Sequence, residues 1–227
     1  MIMVISMEEL FKKLNIRPKQ IELYKTAFSH SSYVNEHKVK NDYERLEFLG
    51  DKILDFIVSE YLYINEHLSE GEMTRLRASY VCENALYEYS NKLEFYKYLR
   101  LGKGEENTGG RHKKAILADV FEAFLAATYL LYGIDTVKNI VNDVVIPYIE
   151  NEDNIFLNDY KSKLQEYVQT DKKSLEYEVI NEEGPANNKV FTVVVKVDNI
   201  VFGKGTANSK KEAEQEAAKD ALEKSKY

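Results

Sequence analysis

The decisive stretch of this sequence is residues 43–51, which read Tyr-Glu-Arg-Leu-Glu-Phe-Leu-Gly-Asp. From this stretch onward apolar residues recur at spacings of three and four, through Leu46, Leu49 and Ile53, which is the pattern of an amphipathic helix. The same spacing is found on both sides of this stretch, from Ser6 to about Tyr148, and no convincing alternation of apolar and polar residues, as in a strand, interrupts it. The sequence therefore predicts an all-helical first domain.

The pattern changes after a short polar segment at residues 151–158. One more amphipathic helix begins near Tyr160, and apolar and polar residues then alternate over 175–179 and 191–197, as in half-buried strands. Asp198-Asn199 predicts a tight turn into a third strand at 200–202, and a last helix follows. The predicted fold is α+β, with an all-helical domain at 1–150, a linker at 151–158 and a small α-β-β-β-α domain at 159–227. Ser6 with Glu9, and Ser209 with Glu212, have the spacing of helix capping boxes.

Carboxylates cluster on two of the predicted helices. Glu44, Glu47 and Asp51 stand at i, i+3 and i+7, which places them on one helical face. On an ordinary surface helix such a row is simply a solvated acidic face. Asp119 and Glu122 repeat the i, i+3 spacing on a helix that is apolar almost all round and should be buried.

Buried carboxylates are costly unless something neutralises them. Ion pairs with Arg45, Lys113 or Lys114 are one solution that the sequence leaves open. The other is a hard divalent ion, Mg²⁺ or Mn²⁺, held by oxygen ligands, which favours phosphoryl chemistry.

The small domain carries polar groups suited to a nucleic-acid backbone. Lys210 and Lys211 open the last helix, where exposed N–H groups and ammonium groups together favour a phosphate. A turn-rich loop at 184–189 and the polar side of the helix near Gln165 add two further points. Three such points resemble a module that spans successive grooves of an A-form duplex.

Composition limits the class of protein. The chain has 227 residues and a net charge of −7, and the acidity lies mainly before Asp159, which by itself argues against nucleic-acid binding. The single cysteine, Cys82, excludes an intramolecular disulfide and suits a reducing cytosol. Two acidic residues interrupt the longest apolar stretch, Ala115 to Leu131, and the chain start resembles no signal peptide, so we expect a soluble, cytoplasmic protein.

Several segments resemble the ribonuclease III family. Residues 43–51 resemble its signature, and 28–33, 70–78 and 116–123 resemble further family segments in the same order. Residues 159–227 resemble a double-stranded-RNA-binding domain. The resemblance covers nearly the whole chain.

The resemblance implies a Mg²⁺-dependent endoribonuclease, with Mn²⁺ able to substitute, that hydrolyses double-stranded RNA as a homodimer, without a membrane. The implied products carry 5′-phosphate and 3′-hydroxyl ends with short 3′ overhangs, and the implied role is processing of ribosomal and other RNA. The resemblance assigns four metal ligands, Glu47, Asp51, Asp119 and Glu122, of which Asp51 and Glu122 are also catalytic. It assigns Glu44 and Glu70 as accessory acidic residues and Phe48 as a contact in the dimer interface. The RNA contacts that it implies are Gln165, Glu166, Asn187, Lys189, Lys210 and Lys211.

Two positions depart from the family pattern. Asn187 stands where many such RNA-binding domains have histidine, and Lys52 stands where a small residue is common. Two other functions remain open from the sequence: a catalytically silent RNA-binding protein of the same fold, and a metal-dependent phosphohydrolase of small nucleotides. Intact ligand positions disfavour the first, and the appended RNA module disfavours the second.

Overall fold

The structure is a computed structural model that describes residues 7–17, 20–151, 160–169, 174–185 and 189–225. The chain divides into two compact units, Met1–Leu157 and Asn158–Tyr227. Each unit has its own hydrophobic core.

The regular elements of the first unit are helical in its described residues, as predicted. The α-helices are α1 (Glu8–Lys13), α2 (Ile21–Ala27), α3 (Ser31–His37), α4 (Glu44–Asn65), α5 (Glu70–Tyr80), α6 (Glu83–Lys92), α7 (Lys103–Asn107), α8 (Lys114–Tyr132), α9 (Ile134–Val144) and α10 (Ile146–Glu150). Two short 3-10 turns lie at Phe95–Lys97 and Gly110–His112. The capping box expected at Ser6 lies outside the described residues, whereas one that the sequence analysis missed, Ser69 with Glu72, begins α5.

Helix α8 forms the centre of the first unit, packed mainly against α4 and α6. Eleven of its residues are buried, including Leu117, Phe121 and Phe124. Of the helices in the described ranges, α8 is the one long and apolar enough to cross a membrane, yet most of it is buried inside the unit. Its sequence is therefore that of a core helix, as the apolar pattern predicted.

The two central helices meet at Gly50 on α4. A Cβ atom built on Gly50 would lie 1.9 Å from the carbonyl oxygen of Glu122 and 2.9 Å from its Cα. Real Cβ atoms do not approach a backbone this closely, so only glycine permits this crossing. The contact sets Glu47 and Asp51, which flank Gly50, beside Glu122.

The second unit contains a three-stranded antiparallel sheet in the order β1-β2-β3. The strands are β1 (Leu175–Glu183), β2 (Val190–Val197) and β3 (Ile200–Ala207). Asp198 and Asn199 have φ angles of 49° and 65°, which fit the tight two-residue turn predicted between the last two strands. Strand β3 runs five residues beyond its predicted end at Phe202.

Two helices, α11 (Tyr160–Gln169) and α12 (Lys210–Lys224), pack with this sheet. Gly203 and Gly205 of β3 lie so close to α12 that added Cβ atoms would lie 2.2 and 2.3 Å from its backbone carbonyls. The Ser209 side chain caps α12 by accepting a hydrogen bond from the Glu212 amide. Among the described residues, the second bond of a capping box, from the Ser209 amide to the Glu212 side chain, is not formed. On α11, Leu164 and Val168 are buried, whereas Tyr167 is exposed.

Candidate active site

Helices α4 and α8 bring together carboxylates that lie about seventy residues apart in the sequence. Glu47 and Asp51 project from α4, and Asp119 and Glu122 project from α8. All four residues are intermediate in exposure, neither fully buried nor fully exposed. The two acidic pairs thus lie near each other on adjacent helices, and the close approach of the helices at Gly50 permits this.

The pKa values reflect this crowding. Burial, followed by the charges of Asp51 and Glu47, raises the pKa of Glu122 to about 8. Burial, followed by the charges of Asp119 and Glu44, raises the pKa of Glu47 to about 7. Both groups resist ionisation because water is partly excluded and neighbouring charges have the same sign. The cluster is short of positive charge.

Asp119 differs from the other three carboxylates because it has a fixed hydrogen-bond donor. The Tyr43 hydroxyl donates to Asp119 Oδ2 at 3.0 Å. Burial raises the pKa of Asp119, and the bond from Tyr43 opposes that rise by stabilising the ionised form. Burial and the neighbouring Asp119 charge raise the pKa of Tyr43 strongly, so its hydroxyl remains a neutral donor.

The ion pairs considered from the sequence do not neutralise the cluster. Lys113 pairs with Glu105, Lys114 donates to Asn84, and Arg45 is exposed with no ion pair among the described residues. The cation that does reach the cluster is Lys52, whose Nζ lies 2.8 Å from Asp51 Oδ2. Both side chains are well exposed to water, so this pair is weak.

The donor set fits a hard divalent cation, although its side chains do not converge on one point. In the described part of the chain, no three His, Cys, Asp or Glu side chains form a group arranged to hold a metal ion. Without a cation the carboxylates repel one another, which favours a larger separation of their oxygen atoms. Binding Mg²⁺ requires oxygens about 2.0–2.1 Å from the ion, so the side chains would have to rotate toward a common point.

The predicted accessory acids occupy different positions. Glu44 is exposed in the first turn of α4, and its charge contributes to the raised pKa of Glu47. Glu70 is exposed on α5, where it accepts a hydrogen bond from Thr74, and no described contact joins it to the cluster.

One acidic neighbour was missed in the sequence. Asp55 continues the row on α4 one turn beyond Asp51, and its charge also acts on Glu122. The i+4 spacing from Asp51 was available as a signal. Arg77 on α5 lies 3.8 Å from Asp55 and compensates part of its charge.

An apolar strip lies on the outer side of α4. Phe48 is 75% exposed, and Phe56, about two turns later and about 80° around the helix, is 54% exposed. Phe56 also lines an open cleft with Tyr129 and Leu130, two further exposed apolar residues. Exposed apolar residues grouped in this way are typical of an interaction surface.

The predicted RNA contacts of the second unit are only partly described. Gln165 is exposed on α11, and Lys210 and Lys211 are exposed at the start of α12. Lys189 forms an ion pair with Glu182, and Lys210 also lowers the pKa of Glu182, so these two lysines lie at one end of the unit. Asn187 and the side chain of Glu166 lie outside the described residues.

Both units match known families. Residues 20–149 match the ribonuclease-III-like family, and residues 160–225 match the double-stranded RNA binding motif. The first match alone covers more than half of the chain, and the second accounts for the sheet and its two helices.

Full-length relatives agree with these matches. Ribonuclease 3 of Oceanobacillus iheyensis is 51% identical over 218 residues, which cover 94% of this chain and 96% of that protein. Ribonuclease 3 of Listeria monocytogenes is 49% identical over 222 residues, 96% of each chain. The solved nuclease domain of ribonuclease III from Campylobacter jejuni is 34% identical with a TM-score of 0.58, over 62% of this chain and 96% of that domain. With two acidic pairs facing each other across α4 and α8 and an RNA-binding module in the same chain, this protein belongs to the ribonuclease III family and is a double-stranded-RNA endoribonuclease.

Proposed function

We propose that Glu47, Asp51, Asp119 and Glu122 hold Mg²⁺ at the active site, with Mn²⁺ able to substitute. The supporting observation is the raised pKa of Glu122, a partly buried carboxyl group with four like-charged neighbours and no buried cation among the described residues beside it. A divalent cation satisfies such a donor set better than a single lysine does. When bound, the ion supplies a Lewis acid that activates water and stabilises the charge of the scissile phosphate.

The chain's own residues then have distinct roles. Asp51 follows Gly50 on α4, the backbone of Glu122 contacts Gly50, and the charge of Asp51 acts on Glu122; these two are the proposed catalytic carboxylates. Glu44 and Glu70 are proposed as accessory acids at the edge of the cleft, which would need a change of position for Glu70. Hydrolysis gives 5′-phosphate and 3′-hydroxyl ends with short 3′ overhangs. Processing of ribosomal and other RNA in the cytoplasm, as a soluble protein, is the proposed biological setting.

The second unit is proposed to position the duplex. Lys210, Lys211 and Gln165 are exposed and available for backbone contacts, whereas Lys189 would have to exchange Glu182 for a phosphate. Glu166 and Asn187 complete the proposed set.

The active form is proposed to be a homodimer, because cutting both strands of a duplex needs two sites. Phe48 and the apolar strip that follows it supply a surface for a second copy of the chain. The Campylobacter jejuni nuclease domain is described as having a region involved in dimer formation.

The deciding experiment is Glu122→Gln in the full chain. The change keeps the side-chain volume but removes one negative charge, so Mg²⁺-dependent cleavage of a long RNA duplex should fall at least about a hundredfold. Binding of the duplex, measured by fluorescence anisotropy, should persist because its contacts are in the second unit.

The matched control is Glu60→Gln, which removes an ion-paired carboxylate from the same unit outside the cluster. Cleavage by that variant should stay near the wild-type rate. Near-wild-type cleavage by Glu122→Gln would reject the metal-ligand assignment, and joint loss of folding and RNA binding would point to a structural ion pair instead.

A further inference from the structure

Tyr43 connects the two helices that carry the carboxylate cluster. Its side chain is only 4% exposed, and its hydroxyl donates to Asp119 Oδ2 at 3.0 Å, across 76 residues of sequence. Its backbone carbonyl accepts from the Glu47 amide at 2.9 Å in the first turn of α4. One residue therefore contacts two of the proposed ligands, one on each helix.

The position of Tyr43 is itself fixed. Its amide donates to the Ser29 carbonyl at 3.0 Å, and its ring lies 5.9 Å from the ring of His30, measured between centroids. His30 is held in turn, because its Nδ1 caps α3 by accepting from the Ser32 amide. A donor anchored at its amide, carbonyl and ring has little freedom to follow a moving acceptor.

The hydrogen bond fixes one end of the Asp119 carboxylate. Oδ2 is bound to Tyr43, while Oδ1 accepts no hydrogen bond from any residue in the described ranges. Groups that hold a ligand's second atom commonly set the ligand's orientation and strengthen metal binding.

From this geometry we propose that Tyr43 is a positioning residue for the metal site, holding Asp119 Oδ2 so that Oδ1 is presented to the cation. The proposal rests on the assignment of Asp119 as a metal ligand. In this proposal Tyr43 is not itself a ligand; it acts through its hydrogen bond to Asp119.

The test compares the Mn²⁺ affinity of the full-length wild type with that of Tyr43→Phe, in the absence of RNA. The concentration of free Mn²⁺ is measured by electron paramagnetic resonance. Tyr43→Phe removes only the hydroxyl and keeps the buried ring. We expect its Mn²⁺ affinity to fall about tenfold or more. In cleavage assays, the Mg²⁺ concentration for half-maximal rate should rise correspondingly.

The matched control is Tyr24→Phe. The Tyr24 hydroxyl also bonds a side chain of α8, Thr128 Oγ1 at 3.0 Å, and is also buried. Its removal should lower the melting temperature about as much as Tyr43→Phe does, while Mn²⁺ affinity stays at the wild-type value. An equal affinity of Tyr43→Phe and wild type would overturn the proposal.

A double-mutant cycle with Asp119→Asn separates positioning from general destabilisation. If Tyr43 acts through Asp119, adding Tyr43→Phe to Asp119→Asn should cause no further loss of affinity. Additive losses would overturn the positioning role while leaving Asp119 a ligand. Wild-type affinity in Asp119→Asn alone would instead reject the metal assignment of the proposed function, and this inference with it.

Discussion

At the scale of single residues, the site is built from carboxylates that are easier to protonate than usual. The pKa of Glu122 rises to about 8 and that of Glu47 to about 7, first because both are partly buried and then because like charges surround them. At neutral pH the metal-free cluster therefore retains protons, and a cation must displace them to bind.

This has a consequence for stability that a pH series can measure. A carboxyl group whose pKa is raised by folding binds its proton more tightly in the folded state, so it favours folding most at low pH. The free energy of unfolding of the metal-free chain should therefore fall as pH rises from about 4.5, the ordinary value for glutamate, through about 8. Urea unfolding in the presence of a chelator at several pH values measures this change.

Glu122→Gln is the comparison for that series. The variant lacks the group with the larger shift, so the decline in its stability between pH 6 and 8.5 should be shallower than in the wild type. Identical pH dependence in the two proteins would contradict the assigned environment of Glu122.

The chemistry of the candidate site was largely predictable from the sequence, but its geometry was not. Acidic residues at i, i+3 spacing on an apolar helix identified Asp119 and Glu122 without a structure. Nothing local links Tyr43 to Asp119, because the bond depends on how two helices cross. The Lys52–Asp51 pair depends similarly on a side-chain rotamer, which periodicity does not specify.

At the scale of secondary-structure elements, the crossing of α4 and α8 decides whether the cluster exists. Gly50→Ala would place a methyl group 1.9 Å from the Glu122 carbonyl oxygen and force the helices apart. Overpacking of this kind costs about 1–3 kcal/mol, which exceeds the gain of up to about 1 kcal/mol from alanine's helix propensity. We expect a lower melting temperature by calorimetry and a large loss of cleavage.

Gly71→Ala is the control for that prediction. Gly71 lies in α5, and an added Cβ would meet nothing within 4 Å. This variant should be neutral or stabilised by up to about 1 kcal/mol. If both alanine variants behaved alike, the close approach at Gly50 would not be the reason for its effect.

The secondary-structure elements could be predicted from the spacing of apolar residues wherever their inward positions carry apolar side chains. Alternation predicted β2 because Val193, Val195 and Val197 all face the core. It underestimated β3, where Gly203 and Gly205 occupy the inward positions and give no apolar signal. Those glycines are required by the close packing of α12, a tertiary contact that a single strand does not reveal.

At the scale of the whole molecule, the proposed homodimer can be tested at the exposed residue Phe48. Phe48→Glu would place a charge where an apolar surface is proposed to meet a second copy. Burial of one phenylalanine contributes about 1.5–3 kcal/mol per copy, so the substitution should shift sedimentation from dimer to monomer. Cleavage of both strands should fall with it.

Ile64→Glu provides the control because Ile64 is also exposed on α4, at 67%. Sixteen residues separate it from Phe48, which puts it about 160° around the helix. This variant should remain dimeric. A fully active Phe48→Glu monomer at working concentrations would contradict the proposed assembly.

The burial of α8 has a further consequence during protein synthesis. The helices that cover it most extensively, α4 and α6, both precede it in the chain, and α2 does as well. Chains emerge from the ribosome N-terminus first, so these partners are available when the most apolar segment appears. The order of elements thereby shortens the time during which a segment of membrane-like composition is exposed to aggregation or to the insertion machinery.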